Sequence, residues 1–376
     1  MIFTNAEIEI LRLSAWCKDL PKDTENIPAN TVSLLCRFGL LRQSRCGLSY
    51  RTTPLGYELL QKGGFDYAPD KQYRGRGSVL MRRLETAKIT SFFWKCGADV
   101  FRGTPDTEKN GLTFLPSFAL RRKTYANVLG GTQLTGFLYS GDTAFIPYYI
   151  TSESKGIYAN VERRTFRAES LLCGRNPFVL YTGEGEMGQL IEAIVAKRYK
   201  KNKSTTDDYL IALEKFGCPA ALIPLNESGI RQLRILSTPS YKKNLIHLIL
   251  GKDYLPPDKT WADGRSKTVE EDFLIGIDCN IARFINAITQ TDKHKRFHIV
   301  LLSSQTAAIQ NYLKGQNVVL HPINEETAEQ ILDIPHKLPA PNLSPFQTEK
   351  GEYLYDTPFG DHKKAGRKNG KHAEKA

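Results

Sequence analysis

Between Asn26 and Tyr57 the chain carries no acidic residue. The same stretch holds Arg37, Arg42, Arg45 and Arg51. The bias extends to the whole chain: 52 Lys and Arg stand against 40 Asp and Glu, a formal net charge of +12. A basic balance favours anionic partners, nucleic acid first and a membrane surface second. Other absences narrow the classes further. No apolar run approaches the ~20 residues of a membrane span. Met1 to Glu9 is acidic and has no basic region, so it does not read as a signal peptide. The seven cysteines (Cys17, Cys36, Cys46, Cys96, Cys173, Cys218, Cys279) show neither metal-knuckle spacing nor a redox pair. Reduced thiols in a cytoplasmic protein are the expectation. There is no internal repeat.

A length of 376 residues predicts two or three domains, and 41% apolar content suffices to build their cores. The apolar positions Ile8, Leu11, Leu13 and Trp16 predict a helix over Asn5 to Cys17, capped by Thr4 or Asn5. A second, starting at Pro28 or Asn30, runs to Phe38 and stops at Gly39. Leu40 to Arg45 and Leu48 to Thr53 read as a hairpin turning at Cys46-Gly47, and Pro54 opens a further helix. Helix, hairpin, helix is the back half of a winged helix, in which one helix enters a DNA groove and the hairpin lies along the phosphates. The span from Lys18 to Ile27 is short for the usual middle helix. Residues 1–66 are therefore assigned to a winged-helix domain.

Residues 67–110 read as a basic connector plus an amphipathic helix from Ser78, as its cap, to about Lys95. Residues 111–340 form an α/β region. Its part 111–172 is β-rich, with strands Leu134 to Tyr139 and Thr143 to Ile150 joined at Ser140-Gly141-Asp142, then a helix from Glu162 to Leu172. Its part 177–333 alternates strands and helices, which argues for a mostly parallel sheet with helices around it. Residues 341–376 read as an extended basic tail. The expected class is thus α+β to α/β.

Twelve residues are candidates for DNA contact: Asn30, Thr31, Ser33, Arg37, Arg42, Arg45, Tyr50, Arg51, Arg74, Arg76, Arg82 and Arg83. Arginine meets a phosphate with two donors, and short polar side chains at a helix start suit base edges and phosphates. No catalytic residue, metal or cofactor is assigned. His294 and His298 have helical metal-ligand spacing, but Phe297 to Leu302 reads as a strand. Asp278 ends an apolar strand, where a helix cap is the expected role. Asp142 with Glu162 could serve a divergent metal-dependent nuclease, yet the triplet Glu162-Arg163-Arg164 puts arginine where such sites need lysine. Gly183-Glu184-Gly185 lacks the ending of a nucleotide loop.

The module ending Phe38-Gly39-Leu40-Leu41 with Thr53-Pro54-Leu55-Gly56, the helix from Arg82-Arg83-Leu84 to Phe92, and the paired strands Gly136-Phe137-Leu138-Tyr139 and Phe145-Ile146-Pro147-Tyr148-Tyr149 resemble the replication-relaxation family. Those are winged-helix proteins of plasmids and conjugative elements, and the resemblance covers the first half of the chain. It implies a DNA-binding accessory protein in replication, DNA processing or its regulation. The partners expected are double-stranded DNA, a replication or relaxase protein and a second copy of the chain, without a membrane. A transcriptional regulator with a ligand-sensing α/β domain is the other non-enzymatic reading.

Overall fold

The computed structural model describes residues 3–24, 27–67, 77–109, 111–121, 125–154, 156–196, 206–292 and 294–334. These form a mixed α and β protein with fifteen α-helical segments and three sheets. They divide into two compact units, residues 3–18 with 27–67, and residues 19–24 with 77–334.

In the first unit, α1 (Asn5–Cys17) starts with a reciprocal cap. The Thr4 hydroxyl accepts from the Glu7 amide, and the Glu7 carboxylate accepts from the Thr4 amide at 2.6 Å. The chain then passes through a two-residue strand of the second unit, β1 (Leu20–Pro21), and re-enters the first at α2 (Ala29–Arg37). No helix occurs in residues 19–24. Gly39, at φ +69°, stops α2 in the left-handed conformation that glycine adopts without strain. The hairpin β2 (Leu41–Gln43) and β3 (Ser49–Thr52) follows, then α3 (Pro54–Lys62), whose first turn is capped by the Thr53 hydroxyl. Ile8, Leu11, Leu35, Leu40, Leu59 and Leu60 form the buried interior. Gly56 brings α3 against the hairpin so closely that a Cβ there would lie 2.6 Å from the Leu40 carbonyl oxygen.

The second unit begins with α4 (Ser78–Lys95). Ser78 is its first residue and not its cap; Gly77 holds the cap position with no side chain to offer. The last turns of α4 are buried by polar as well as apolar residues: Thr86, Thr90 and Ser91 each return their hydroxyl to a carbonyl four residues back. Beyond α4 lie two five-stranded sheets. The first holds β4 (Leu112–Pro116), β5 (Gly136–Ser140), β6 (Thr143–Tyr149), β7 (Asn176–Gly183) and β8 (Ala220–Pro224), in that spatial order. Between them run α5 (Ser117–Leu120), α6 (Ala126–Leu129), α7 (Ala159–Glu162), α8 (Glu169–Leu172), α9 (Met187–Val195) and α10 (Tyr209–Phe216). The second holds β9 (Tyr254–Leu255), β10 (Gly264–Ser266), β11 (Asp272–Ile275), β12 (Phe297–Leu302) and β13 (Val318–Ile323), ordered β13-β12-β11-β10-β9. Its helices are α11 (Glu227–Ser237), α12 (Tyr241–Leu250), α13 (Ile281–Gln290), α14 (Ser303–Tyr312) and α15 (Glu325–Ile331).

Within the two five-stranded sheets, β6-β7-β8 and β11-β12-β13 pair in parallel and the other strand pairs are antiparallel. The helix expected from Glu162 to Leu172 is broken. A 3-10 turn, Thr165–Arg167, and an extended Ala168 separate α7 from α8. The Thr165 hydroxyl donates to the Glu162 carbonyl, offering the backbone a local alternative to the helix.

One core joins both sheets, with Phe137, Tyr181 and Leu222 continuous with Leu274, Phe284 and Ile299. Polar bonds reinforce the seam. The Leu222 amide, on the outer edge of β8, donates to the Asp278 carbonyl at 3.0 Å. Gln232 Nε2 donates to the carbonyls of Leu222 and Ile277, and Gln305 Nε2 donates to Ile277 as well. Both glutamines are buried and satisfied. No helix among the described residues is long and apolar enough to cross a membrane.

Candidate nucleic-acid interface

In the first unit the side chains sort by helical and strand period. Val32 and Leu35 of α2 face inward, while Asn30, Ser33 and Arg37, spaced three and four apart, are exposed on one side of the helix. Thr31 is half-buried. The first turn of α2 contains no acid and no side-chain cap.

The hairpin register pairs Leu41 with Thr52, Arg42 with Arg51 and Gln43 with Tyr50. Leu41 and Thr52 are buried, so Arg42 and Arg51 share the opposite face. At the tip the Ser44 amide donates to the Ser49 carbonyl at 2.8 Å, and Gly47, at φ +74°, returns its amide to the Ser44 carbonyl at 3.0 Å. Arg42 and Arg45 are exposed, and Arg51 and Tyr50 are half-buried. Two guanidinium groups directly opposite each other on neighbouring strands favour an anion lying across them. Cys46 is exposed at the same tip; contact with the Ser44 hydroxyl lowers its thiol below the ordinary range.

None of the other four candidates is among the described residues of the first unit. Arg74 and Arg76 lie outside the described residues. Arg82, in the second unit, is turned into the protein and donates to the Thr132 carbonyl at 2.6 Å. Burial lowers its proton affinity. The Arg83 guanidinium lies over the Phe118 ring, 5.2 Å from its centre. Arg82 and Arg83 thus both make contacts within their own unit.

The remaining chemical candidates resolve individually. Asp142 is exposed, with 78% of its side-chain surface accessible, and is ion-paired with Lys109. Glu162 is completely buried and accepts from the Gln133 amide at 2.5 Å and from the Tyr148 hydroxyl at 2.9 Å. An exposed turn carboxylate and a sealed one do not share a metal. Burial raises Glu162 to about 7 despite these two donors and the charges of Arg82 and Arg121. Asp278 does not cap α13; Asn280 does, accepting from the Arg283 amide. Asp278 instead ion-pairs with Lys242 at 2.6 Å and Arg283 at 3.2 Å, and these charges hold it low against the upward push of burial. Glu184, between Gly183 and Gly185, accepts from Tyr149 and Lys88, so that loop presents an acid where a phosphate would sit.

His294 is exposed in a turn and does not join His298. The partner of His298 is His321, whose ring nitrogen is 2.7 Å away. Spacing along the chain hides this pair, because parallel register between β12 and β13 brings together residues 23 positions apart. Among the described residues no group of three or more His, Cys, Asp or Glu side chains is arranged to hold a metal.

Comparison of the chain with protein-family models, with curated proteins and with solved structures finds no match.

Proposed function

We propose that the first unit is a winged helix that binds double-stranded DNA without catalysing a reaction on it. The observation that carries this reading is the register of Arg42 against Arg51 on the outward face of an acid-free hairpin. Arg45 extends the cationic face to the tip, and the exposed row Asn30, Ser33 and Arg37 presents donors and acceptors from α2. The hairpin lies along phosphates and the helix row faces the groove. The narrower role, an accessory in replication, DNA processing or regulation on a plasmid or conjugative element, rests on the family resemblance alone. A footprint on the DNA of the chain's own element tests it.

The binding reading has a direct test. Fluorescence anisotropy with a labelled duplex, repeated over a range of salt, gives log K against log salt with a slope of about −0.9 for each phosphate neutralised. The Arg42→Ala, Arg45→Ala double variant reduces that slope by about 2, one for each lost contact. Binding without salt dependence, or a double variant with the wild-type slope and affinity, refutes the proposal.

A further inference from the structure

Glu271, His298 and His321 form a hydrogen-bonded row on the second sheet. His298 on β12 stands beside Phe273 of β11, and His321 on β13 stands beside Val300 of β12. Residues two apart on a strand share a face, so His298 and His321 project from the same side. Glu271 Oε2 lies 2.5 Å from His298 Nε2, and His298 Nδ1 lies 2.7 Å from His321 Nε2. The carboxylate sets the tautomer: His298 donates from Nε2 to Glu271, which leaves the Nδ1 lone pair aimed at His321. The Phe273 ring stacks on His298 at 4.2 Å and 7°, fixing its plane, and Arg296 holds Glu271 at 3.3 Å.

We propose that His298 Nδ1 and His321 Nε2 are a two-histidine site for a divalent transition-metal cation of the Zn²⁺, Ni²⁺ or Cu²⁺ class. Imidazole suits these ions, and a histidine whose far nitrogen donates to a carboxylate is the usual oriented ligand. The cation takes the place of the proton between the rings, and that proton moves to His321 Nδ1, so two neutral imidazoles remain. Tetrahedral ligation at ~2.1 Å sets the two nitrogens about 3.4 Å apart, so the pair opens by about 0.7 Å. His321 accommodates this opening, because β13 is the outer strand of its sheet and the side chain is half-buried. Water completes the coordination. Burial and the neighbouring His298 lower the proton affinity of His321, which favours the neutral form that ligation needs.

The test is calorimetric titration of the full chain with Zn²⁺ and with Ni²⁺ at neutral pH, alongside four single variants. His298→Gln and His321→Gln each lose one binding event relative to wild type. Glu271→Gln keeps that event but weakens it roughly 10- to 100-fold. His294→Gln, altered in the exposed turn, keeps it at wild-type affinity. Thermal melting of each variant separates loss of the site from loss of the fold, and Cu²⁺ electron paramagnetic resonance reads two coordinating nitrogens directly. The proposal is overturned by a wild-type chain that binds no ion, by folded His321→Gln with wild-type stoichiometry and affinity, or by a Cu²⁺ spectrum without paired nitrogens.

Discussion

Replacing Glu162 by Gln isolates the cost of a sealed carboxylate. The side chain is fully buried and held by the Gln133 amide and the Tyr148 hydroxyl. Burial lifts its pKa from 4.5 to about 7. At 1.36 kcal/mol for each pH unit, ionising it in the folded chain costs about 3 kcal/mol. The sign follows from proton counting. Between the unfolded and folded values the folded state holds a proton that the unfolded state has released, so stability falls as pH rises. The contribution is complete below about pH 4.5 and lost above about pH 7. Glutamine keeps an acceptor for the Gln133 amide and has no charge to gain. Urea unfolding followed by far-UV circular dichroism, on wild type and Glu162→Gln across this window, gives the difference directly. Other titrating groups cancel in that difference. The wild type should lose about 3 kcal/mol relative to the variant as pH rises from 4.5 past 7. A difference that stays constant, or a wild type that gains on the variant with rising pH, refutes the reasoning. It would mean that the two donors and the nearby arginines outweigh burial.

Gly56→Ala sets a methyl 2.6 Å from the Leu40 carbonyl oxygen and 2.8 Å from Thr52 Cγ2; chemical denaturation should show a loss of about 1–3 kcal/mol from overpacking. Asp278→Ala leaves Lys242 and Arg283 without their shared carboxylate, and the same assay should show a loss on the order of 3–5 kcal/mol, as when one member of a buried ion pair is removed. Thr53→Ala removes the hydroxyl that accepts from the Gly56 amide; a loss of about 1 kcal/mol is expected, and a variant as stable as wild type would show the cap to be idle.

Local rules made much of this fold readable. Thr4, Gly39 and Pro54 sit at helix ends because their side chains or backbone freedom suit those positions, whereas the cap of α13 falls to Asn280 and not to the expected Asp278. Gly141, at φ +48°, turns β5 into β6 at the expected place. What local rules miss is set by contacts distant in sequence. Thr165 and Ala168 break a segment whose composition reads as helix. The antiparallel strands β9 and β10 are two and three residues long, too short to show a period. Tyr209, Ala212, Leu213 and Phe216 do have helical spacing in α10 and are buried, but the polar, Lys-rich run before them obscures the start. For the candidate interface, the acid-free arginine segment was legible in order, and the facing of Arg42 and Arg51 follows from the register. The inward turn of Arg82 toward Thr132 had no signal in the sequence, since a charge on a helix gives no sign of the carbonyl that will meet it.

The seam at Leu222 bears on how the chain emerges from the ribosome. The strands of the first sheet are complete once residue 224 has been made, yet the outer edge of β8 is closed by a carbonyl more than fifty residues later, at Asp278. Until that turn arrives, the outward Leu222 amide of β8 is unmet, an edge donor of the kind that recruits a stray strand from a neighbour. Chains halted between these points should be the aggregation-prone ones, and translation past Gln305 should restore them to solution, because only then is every donor at the seam in hand.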